Sequence, residues 1–168
     1  EFIERTIKSA IRQTVKNIEI IIINDEITES SKKLLKKYSS LDKRIRVINN
    51  TKNLGAGYSR NKGIKLSKGK YLAFLDSDDI WRKNKLKLQV KFMEKFNYNV
   101  SHTSYEIIDE MEKKIALRRS SNLNFKRLKN SCDIGLSTVM LKKSLLKKSL
   151  FPSLKTKEDY VLWLKLAK

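Results

Sequence analysis

Cysteine, proline, glycine and histidine are scarce in this 168-residue sequence, which has one cysteine, one proline, five glycines and one histidine. The single cysteine, Cys132, excludes a disulfide within the chain and fits a reducing, cytoplasmic setting. No apolar run approaches the ~20 residues that a membrane-spanning helix needs, and no signal peptide is visible. We therefore expect a soluble, cytoplasmic protein.

Acidic residues are also scarce: 18 aspartates and glutamates stand against 38 lysines and arginines, for a formal net charge of +20. Apolar residues make up 40% of the chain, which is enough for a folded core at this length. So basic a protein is attracted to nucleic acids, anionic membrane surfaces or phosphorylated substrates. Because the lysines are dispersed and no nucleic-acid-binding motif is present, we expect no specific nucleic-acid partner. We expect a loose peripheral contact with the inner face of an anionic membrane.

The hydrophobic pattern alternates between helix and strand over the first half of the chain. Apolar residues at helical spacing predict a helix over residues 2–13, and four consecutive isoleucines within 18–23 predict a parallel strand covered on both faces. The later elements are a helix over 30–38, a strand over 45–48, a helix from about 58, a strand over 70–75 and a helix over 83–96. This order predicts an α/β fold with a mainly parallel, Rossmann-like sheet.

The second half of the chain is less regular. The pattern predicts strands over 100–108, 115–118 and 136–141, and a short helix over 125–129. His102 falls within the first of these strands, and we expect it to be structural rather than catalytic. This half is therefore predicted to be mixed in architecture.

Three carboxylates, those of Asp76, Asp78 and Asp79, follow the strand 70–75. We call the four residues 76–79 the acidic loop. Ligands of open α/β sheets bind at the carboxyl ends of the strands, where these acids stand. Asp76 and Asp78 can turn their oxygens toward one point, and such oxygens bind Mg²⁺ or Mn²⁺ beside a phosphate. The alternative is a polar turn in which Asp78 or Asp79 caps the next helix.

A second carboxylate, Asp25, follows the isoleucine strand, where it can accept hydrogen bonds from a base or a ribose. The alternative is an N-cap for the following helix. Gly55 and Gly57 stand in the loop before the helix that contains Arg60. Backbone N–H groups at such a helix start can approach a phosphate, and Arg60 offers a fork for a pyrophosphate or a base carbonyl. A plain pair of turn glycines is the alternative.

Two further acids, Glu158 and Asp159, stand where the last helix is predicted to begin. Thr156 can cap that helix, and Leu162 and Leu166 repeat at helical spacing. Acids in a first turn are favoured by the helix dipole by ~0.3–1 kcal/mol. A catalytic base would stand there equally well.

Four short motifs occur in order along the chain. They are Asn17-Ile18-Glu19, Asn53-Leu54-Gly55 with Ser59-Arg60-Asn61-Lys62-Gly63, Leu75-Asp76-Ser77-Asp78-Asp79 with Trp81, and Glu158-Asp159-Tyr160 with Leu162-Trp163. Together they resemble the family 2 glycosyltransferases, and the resemblance covers nearly all of the chain. Ser104-Tyr105 and the stretch 134–139 further resemble bacterial enzymes of surface-polysaccharide and teichuronic-acid type.

The resemblance implies a GT-A fold and an inverting transfer of a sugar from a nucleotide-sugar, usually a UDP-sugar, to a hydroxyl of a glycan or lipid-linked acceptor. It implies that Asp78 binds the Mn²⁺ or Mg²⁺ ion that bridges the two phosphates, with Asp76 meeting the ribose or the same metal. Asp25 would contact the uracil, and Arg60 the base or the pyrophosphate. Asp159 would be the general base that deprotonates the acceptor hydroxyl.

The resemblance also implies a single GT-A domain over residues 1–168, with a nucleotide-sugar-binding half over 1–96 and an acceptor-side half over 97–168. Two departures accompany it. Family members open with an apolar strand that ends in a Pro-x-Tyr-Asn-like turn, whereas this sequence begins after it, so we expect a chain truncated at its N-terminus with an unpaired position in its sheet. The usual Asp-Asp-Gly-Ser-Thr-Asp is replaced by residues 24–29, so the resemblance gives less support for a uracil-specific contact at Asp25.

Two other classes of function fit some of these residues. A nucleotidyltransferase would also use paired acids and a metal ion on an α/β sheet. An inactive polyanion-binding module would use only the basic surface. Sugar release, pyrophosphate formation and salt-sensitive nucleic-acid binding distinguish the three hypotheses.

Overall fold

The structure is a computed structural model that describes residues 2–147 and 150–168. Its helices are α1 (Phe2–Ile11), α2 (Glu29–Leu41), α3 (Ala56–Leu66), α4 (Lys85–Lys95), α5 (Phe125–Asn130) and α6 (Glu158–Ala167). Its strands are β1 (Ile20–Asn24), β2 (Ile45–Asn49), β3 (Tyr71–Ala73), β4 (Val100–Ser101), β5 (Tyr105–Ile108), β6 (Lys114–Arg118) and β7 (Met140–Lys142). Short 3₁₀ turns cover Leu136–Thr138 and Lys143–Lys147. The helix and strand alternation predicted for the first half is therefore present, as is the mixed second half.

The strands form three small sheets. β1 and β2 pair in parallel, from Ile20 opposite Ile45 to Asn24 opposite Asn49. β3 pairs antiparallel with β7, whose other edge takes β4, and β5 pairs with β6 in a hairpin. The prediction of a mainly parallel sheet is corrected here, because within the described residues only β1 and β2 pair in parallel. The pattern of β3 showed that the strand was covered, but it carried no information on the direction of its partner.

The isoleucine strand β1 is less enclosed than expected. Its isoleucines are half-buried, and only Asn24 at its end is fully buried. Ile20 and Ile22 pack against a core cluster formed by Ile7, Leu35, Tyr38 and Ile45. Helices cover both faces of β1, with α1 and α2 packed on Ile20 and Ile22 and α3 against Ile23 at Gly63. Within the described residues β2 is the one strand paired with β1, so the other edge of β1 has no strand partner there.

Two predicted strands of the second half are interrupted. Residues 136–138 form a 3₁₀ turn instead of a strand, because the Thr138 N–H and hydroxyl both donate to the Gly135 carbonyl, at 3.0 and 2.6 Å. The predicted strand 100–108 breaks at residues 102–104. There His102 Nε2 lies 3.1 Å from the Ser121 carbonyl oxygen, a contact that joins two loops.

The second half packs onto the first through a shared core. The larger core cluster combines residues of α3, β7 and α6 with the chain between them: Ile64, Leu136, Val139, Leu141, Leu146, Phe151, Leu162 and Trp163. A smaller cluster joins Leu86 and Met93 of α4 to Met140 of β7. Because β7 contributes to both clusters and also pairs with β3, it fixes the second half against the strand that leads into the acidic loop.

No helix among residues 2–147 and 150–168 is both long and apolar enough to cross a membrane.

Candidate active site

Two side chains of α1 hold the acidic loop and the residue Trp81 that follows it. The Thr6 hydroxyl lies 2.9 Å from the Ser77 carbonyl oxygen and 2.8 Å from that of Asp79. One helical turn further on, the Ser9 hydroxyl accepts a hydrogen bond from the Trp81 N–H at 3.1 Å. Thr6 and Ser9 are both buried, so these polar groups are satisfied by the loop rather than by water. The amphipathic pattern of α1 predicted its apolar face but gave no signal for this role.

Ser137 fixes the acidic loop from the opposite side. Its hydroxyl accepts a hydrogen bond from the Asp76 N–H at 2.9 Å, and its carbonyl accepts one from the Trp81 indole N–H at 2.8 Å. Ser137 lies in the 3₁₀ turn before β7 and is buried. The backbone of Asp76 is thereby positioned by a residue from the second half of the chain.

Arg60 joins the acidic loop to the start of α6. One guanidinium nitrogen donates to Asp76 Oδ1 at 3.0 Å, and another donates to Glu158 Oε1. The side chain of Glu158 is 9% exposed and that of Arg60 is 19% exposed, so this bridge is largely shielded from solvent. The guanidinium also lies 5.5 Å from the centre of the Phe151 ring. The predicted site residues Arg60 and Asp76 are therefore in direct contact, and Glu158 is a partner that the sequence did not identify.

The two metal-ligand candidates differ in electrostatic surroundings. Burial raises the pKa of the Asp76 carboxyl above its ordinary value; Arg60 opposes that rise, and the carboxylates of Asp79 and Asp78 add to it. Asp78 is exposed, and its side chain makes no hydrogen bond or ion pair with any described residue. The site thus combines a bridged carboxylate, whose side chain is 40% exposed, with an exposed, unbridged one that can take a ligand.

Asp78 and Asp25 line the same groove. This groove has a volume of about 440 Å³ and runs between β1 and the acidic loop, with Phe2, Ile3, Leu34 and Leu35 among its apolar walls. Asp78 also lines a second cavity of about 270 Å³, together with Arg5, Ile80 and the turn of the β5–β6 hairpin. The apolar part of the groove follows the edge of β1 that has no strand partner among the described residues, and its polar end holds Asp25 and Asp78.

The residues of the acidic loop fit a divalent cation. Asp76 and Asp78 present carboxylate oxygens, which are the ligands that Mg²⁺ and Mn²⁺ prefer. Within the described part of the chain no group of three or more His, Cys, Asp or Glu side chains is arranged to hold a metal ion. Mg²⁺ sites that use one or two carboxylates are completed by substrate phosphates and water, and the pair Asp76 and Asp78 matches that type.

Asp25 organises the loop that leads into α3. Its Oδ1 accepts hydrogen bonds from Asn50 Nδ2 at 2.7 Å and the Leu54 N–H at 2.9 Å, and its Oδ2 accepts the Gly55 N–H at 2.7 Å. Burial disfavours the ionised carboxyl, but these hydrogen bonds prevail and lower the pKa of Asp25. The contact with a uracil base stays a prediction, and Asp25 also has a loop-ordering role.

Gly55 and Gly57 stand at the start of α3. Gly55 has φ +86°, in the left-handed region that favours glycine, and forms the N-cap of α3. A side-chain carbon at Gly57 would stand 3.0 Å from the Pro152 carbonyl oxygen and 3.4 Å from Glu158 Cγ. The Gly55 N–H is already bound to Asp25. The turn-glycine alternative therefore describes Gly55, whereas Gly57 lies within α3, where its lack of a side chain allows the close approach of Pro152 and Glu158.

Asp159 lies at the N-terminus of α6, as predicted. It is half-buried, and its Oδ1 accepts a hydrogen bond from the Tyr160 N–H at 2.7 Å. The expected Thr156 cap is wrong: the N-cap is Lys157, with φ 62° and no side-chain cap hydrogen bond. Because Glu158 is tied to Arg60, the helix start that carries Asp159 is anchored beside the acidic loop.

The neighbours of Arg60 anchor α3 on either side of it. The Ser59 hydroxyl accepts a hydrogen bond from Asn50 Nδ2 at 3.0 Å. Asn61 donates to the Phe151 carbonyl at 2.8 Å and accepts from its N–H at 3.0 Å. These two residues belong to the motif quoted for the family, but the motif alone gave no indication of their partners.

The helix-capping alternatives for the acids do not hold. Asn84 is the N-cap of α4, so neither Asp78 nor Asp79 caps it. Thr28 is the N-cap of α2, and its hydroxyl accepts the Ser31 N–H at 3.3 Å, so Asp25 does not cap that helix. The acids after both strands are thus available for other roles.

In this α/β fold, acids stand at the ends of β1 and β3, where ligands of such sheets bind, and Arg60 bridges the acid after β3 to a second acidic motif. Residues 1–154 match the sequence profile described as Glycosyl transferase family 2. This chain belongs to that family, which confirms the resemblance drawn from its motifs.

The relatives that this chain matches are bacterial glycosyltransferases. It is 42% identical over 167 residues to an uncharacterised glycosyltransferase of Rickettsia bellii, covering 97% of this chain and 24% of the relative. It is 35% identical over 166 residues to the Escherichia coli UDP-Glc:α-D-GlcNAc-diphosphoundecaprenol β-1,3-glucosyltransferase WfgD, covering 99% of this chain and 64% of WfgD. TuaG of Bacillus subtilis, provisionally assigned to teichuronic acid biosynthesis, is 34% identical over 172 residues, with 100% and 68% covered. The chain therefore spans from about a quarter to two thirds of these relatives.

Solved structures confirm the GT-A fold. Staphylococcus aureus TarS in complex with UDP-GlcNAc superposes with a TM-score of 0.82 at 21% identity, over 99% of this chain and 49% of that chain. The Pyrobaculum calidifontis mannosyltransferase PcManGT, in complex with GDP-Man and Mn²⁺, superposes with a TM-score of 0.74 at 13% identity, over 99% and 48%.

Proposed function

We propose that this chain carries the donor site and the catalytic base of an inverting glycosyltransferase. The enzyme would move a sugar from a UDP-sugar to a hydroxyl of a glycan or lipid-linked acceptor in the synthesis of a bacterial surface polysaccharide. The observation that carries the proposal is the Arg60 bridge, which places the acidic loop next to the α6 start that bears Asp159. A metal-binding pair and a general base are needed on the two sides of a sugar transfer, and this bridge brings them together.

The donor assignment is supported by the groove and by the relatives. Asp25 and Asp78 line one groove, so a ligand lying in it would reach both ends of the predicted nucleotide-sugar site. WfgD is named as a UDP-glucose enzyme that acts on a diphosphoundecaprenol-linked sugar. We extend this donor class and acceptor class to the present chain, with the uracil at Asp25 and residues 1–96 forming the donor half.

Asp78 and Asp76 would hold the divalent metal ion, Mn²⁺ or Mg²⁺. When bound, such an ion neutralises the charge that develops on the departing diphosphate. The exposed Asp78 carboxylate would supply the principal ligand, because Asp76 shares its Oδ1 with Arg60. Asp76 Oδ2 stays available for the metal ion or for a ribose hydroxyl.

Arg60 has donors left for the substrate. A guanidinium carries five N–H groups, of which the bridge to Asp76 and Glu158 uses two. The remaining groups can donate to a pyrophosphate oxygen or to a base carbonyl. The two carboxylates hold the guanidinium plane in one orientation, so the cation is positioned before the donor arrives.

Asp159 would remove the proton from the acceptor hydroxyl. The acceptor oxygen then attacks the anomeric carbon of the donor sugar, and the bond to the diphosphate oxygen breaks with inversion. The electron pair of that bond leaves on the nucleoside diphosphate, and the proton stays on the Asp159 carboxyl until solvent takes it. Residues 97–168 would form the acceptor side, and the protein would lie at the inner face of the membrane where a lipid-linked acceptor resides.

The proposal is tested by thermal unfolding with UDP, GDP and ADP, each with and without Mn²⁺, followed by assay of transfer from UDP-sugars. A ligand at about 100 times its dissociation constant stabilises a fold by about 2.7 kcal/mol, a shift that is readily measured. We expect a shift with UDP that depends on the metal ion, and release of UDP in the presence of acceptor. Pyrophosphate formation from a nucleoside triphosphate, or metal-independent binding of a polyanion with no UDP effect, would overturn the proposal.

A further inference from the structure

The outer face of α4 carries a row of exposed apolar side chains. Leu88, Phe92 and Phe96 follow one another at intervals of four residues, and they are 64%, 47% and 50% exposed. The opposite side of the helix packs into the protein through Leu86 and Met93, which are 7% and 0% exposed. The row is therefore additional to the apolar side that the fold uses, and it extends for about 12 Å along the helix.

Tyr98 completes this row beyond the end of α4. Asn97 adopts φ 51°, and the Tyr98 N–H donates to the Met93 carbonyl at 2.9 Å, so the chain turns back onto the helix. The three rings then pack together, with centroids 5.0 Å apart for Phe92 and Phe96, 5.6 Å for Phe92 and Tyr98, and 6.0 Å for Phe96 and Tyr98. Tyr98 is 49% exposed, so the cluster remains open to solvent on one side.

A row of lysines runs beside the apolar row. Lys87, Lys91 and Lys95 also recur every four residues, each one position before a member of the apolar row, and all three are exposed. Lys95 Nζ lies 5.2 Å from the centre of the Phe96 ring. The acid on this helix, Glu94, is paired with Lys70 at 3.4 Å, so it does not cancel the row. We call these three lysines, with Leu88, Phe92, Phe96 and Tyr98, the lysine–aromatic face.

An anionic lipid surface matches both rows at once. Helices that lie in a membrane interface bury a row of Leu, Phe or Trp and keep Lys or Arg beside it, and each cation is attracted to acidic headgroups. Single-stranded nucleic acid is a less suitable partner, because it needs open ring faces for stacking and here the rings pack on one another. The net charge of +20 adds attraction to an anionic bilayer at longer range.

We propose that the lysine–aromatic face of α4 docks this protein on an anionic membrane surface, with the aromatic row entering the headgroup region and the lysine row contacting acidic lipids. This docking rests on the proposed function, because a lipid-linked acceptor would be reached at a membrane surface. It uses a surface that lies outside the donor and base residues. Docking through α4 would also keep the acidic loop near the bilayer, because Lys85 follows Asp79 by six residues.

The test is co-sedimentation of the protein with vesicles of phosphatidylcholine containing about one third phosphatidylglycerol, and with vesicles of phosphatidylcholine alone. Two double variants address the two rows, Phe92→Ser with Phe96→Ser, and Lys91→Glu with Lys95→Glu. The matched controls lie on α2, where Leu41 is 71% exposed and two lysines stand on the outer surface: Leu41→Ser, and Lys33→Glu with Lys36→Glu. Each variant is first checked for cooperative thermal unfolding at the wild-type temperature.

We expect the wild-type protein to sediment with the anionic vesicles. Each face variant is expected to bind these vesicles at least about tenfold more weakly than the wild-type protein. The α2 charge variant lowers the net charge by the same amount, so a smaller effect from it separates a docking face from general attraction. Absence of sedimentation, equal losses from the α2 variants, or binding of a fluorescent oligonucleotide by this face without vesicle binding would overturn the proposal. No donor, metal ion or acceptor is added, so this assay measures docking alone. If the vesicle results are as expected but the separate assay with UDP-sugar, Mn²⁺ and acceptor shows no transfer, the proposed function is overturned and the docking surface stands.

Discussion

Arg60 in α3 and Glu158 at the start of α6 form a largely buried ion pair between the two halves of the chain. The same guanidinium holds Asp76 of the acidic loop. Breaking the pair would leave a cation with one partner and would free the helix start that carries Asp159. The Arg60–Glu158 contact is thus a structural condition for the proposed chemistry, and it can be tested separately from that chemistry.

Glu158→Gln is expected to lower the free energy of unfolding by about 1–1.5 kcal/mol, because the amide oxygen still accepts from Arg60 but the charge-assisted hydrogen bond of the carboxylate is replaced by a weaker neutral one. Urea denaturation measures this change. The matched control is Glu29→Gln, which removes an exposed pair with Lys32 and is expected to cost no more than about 0.5 kcal/mol. Equal effects of the two substitutions would show that the bridge contributes no more than a surface pair.

Asp78→Asn is expected to abolish the stabilisation by UDP that requires Mn²⁺, because it removes the exposed ligand of the proposed metal site. Thermal unfolding with and without UDP and Mn²⁺ measures this loss. Asp79→Asn changes the adjacent exposed carboxylate and is expected to retain most of the shift, because its side chain has no assigned contact with donor or metal ion. If Asp78→Asn keeps the full metal-dependent shift, the metal assignment is wrong.

Asp159→Asn is expected to retain binding of UDP while lowering the transfer rate by about 10²–10⁴-fold, the usual contribution of a general base. A UDP-release assay with acceptor, run beside a binding measurement, separates the two effects. The amide can still accept the hydrogen bond from the Tyr160 N–H, so the helix start is preserved. Transfer at the wild-type rate would exclude Asp159 as the base.

Asp25→Ala is expected to destabilise the fold by about 1–3 kcal/mol, because it leaves Asn50 and the N–H groups of Leu54 and Gly55 without their acceptor. Asp25→Asn keeps one oxygen acceptor and is expected to lose less. Urea denaturation of both variants, with UDP binding measured on each, tests this order. If Asp25→Ala is as stable as the wild-type protein but no longer binds UDP, Asp25 acts on the donor and does not order the loop.

The sequence was informative where a local pattern decides the outcome. The acids at the ends of β1 and β3, the helix carrying Arg60 and the start of α6 all followed from spacing and from neighbouring residue types. Tertiary contacts were not predictable in this way. Thr6 and Ser137 hold the acidic loop from positions far away in the chain, and neither residue type marks its partner in advance.

The same limit explains the wrong expectations. A covered strand shows the same apolar run whether its neighbour is parallel or antiparallel, so the antiparallel partner of β3 could not be read from its residues. The residues 136–141 have strand-like composition, yet Thr138 bonds back to Gly135 and begins the segment as a 3₁₀ turn. A local side-chain hydrogen bond there outweighs the propensity of the run.

Lys85 makes the free energy of unfolding depend on pH. Its ammonium group lies 4.2 Å from the centre of the Trp81 ring and has no hydrogen-bond partner among the described residues. Burial lowers its pKa to about 7, against about 10.4 in an unfolded chain. Between these two values the unfolded chain binds more protons than the folded one, so the free energy of unfolding rises with pH. Below about pH 7, Lys85 is charged in both states, and the folded state carries the full cost of burying that charge.

Lys85→Met is therefore expected to stabilise the protein more at about pH 6 than at about pH 9, because the substitution removes a charge that the wild-type protein buries at the lower pH. Urea denaturation of both proteins at the two pH values measures this difference. Comparing the two proteins cancels the contributions of the other titrating groups, which they share. Lys83→Met, at an exposed position two residues before Lys85, is expected to change stability equally at both values. Parallel pH profiles for the wild-type protein and Lys85→Met would mean that Lys85 stays charged in the folded state, held by its contact with the Trp81 ring.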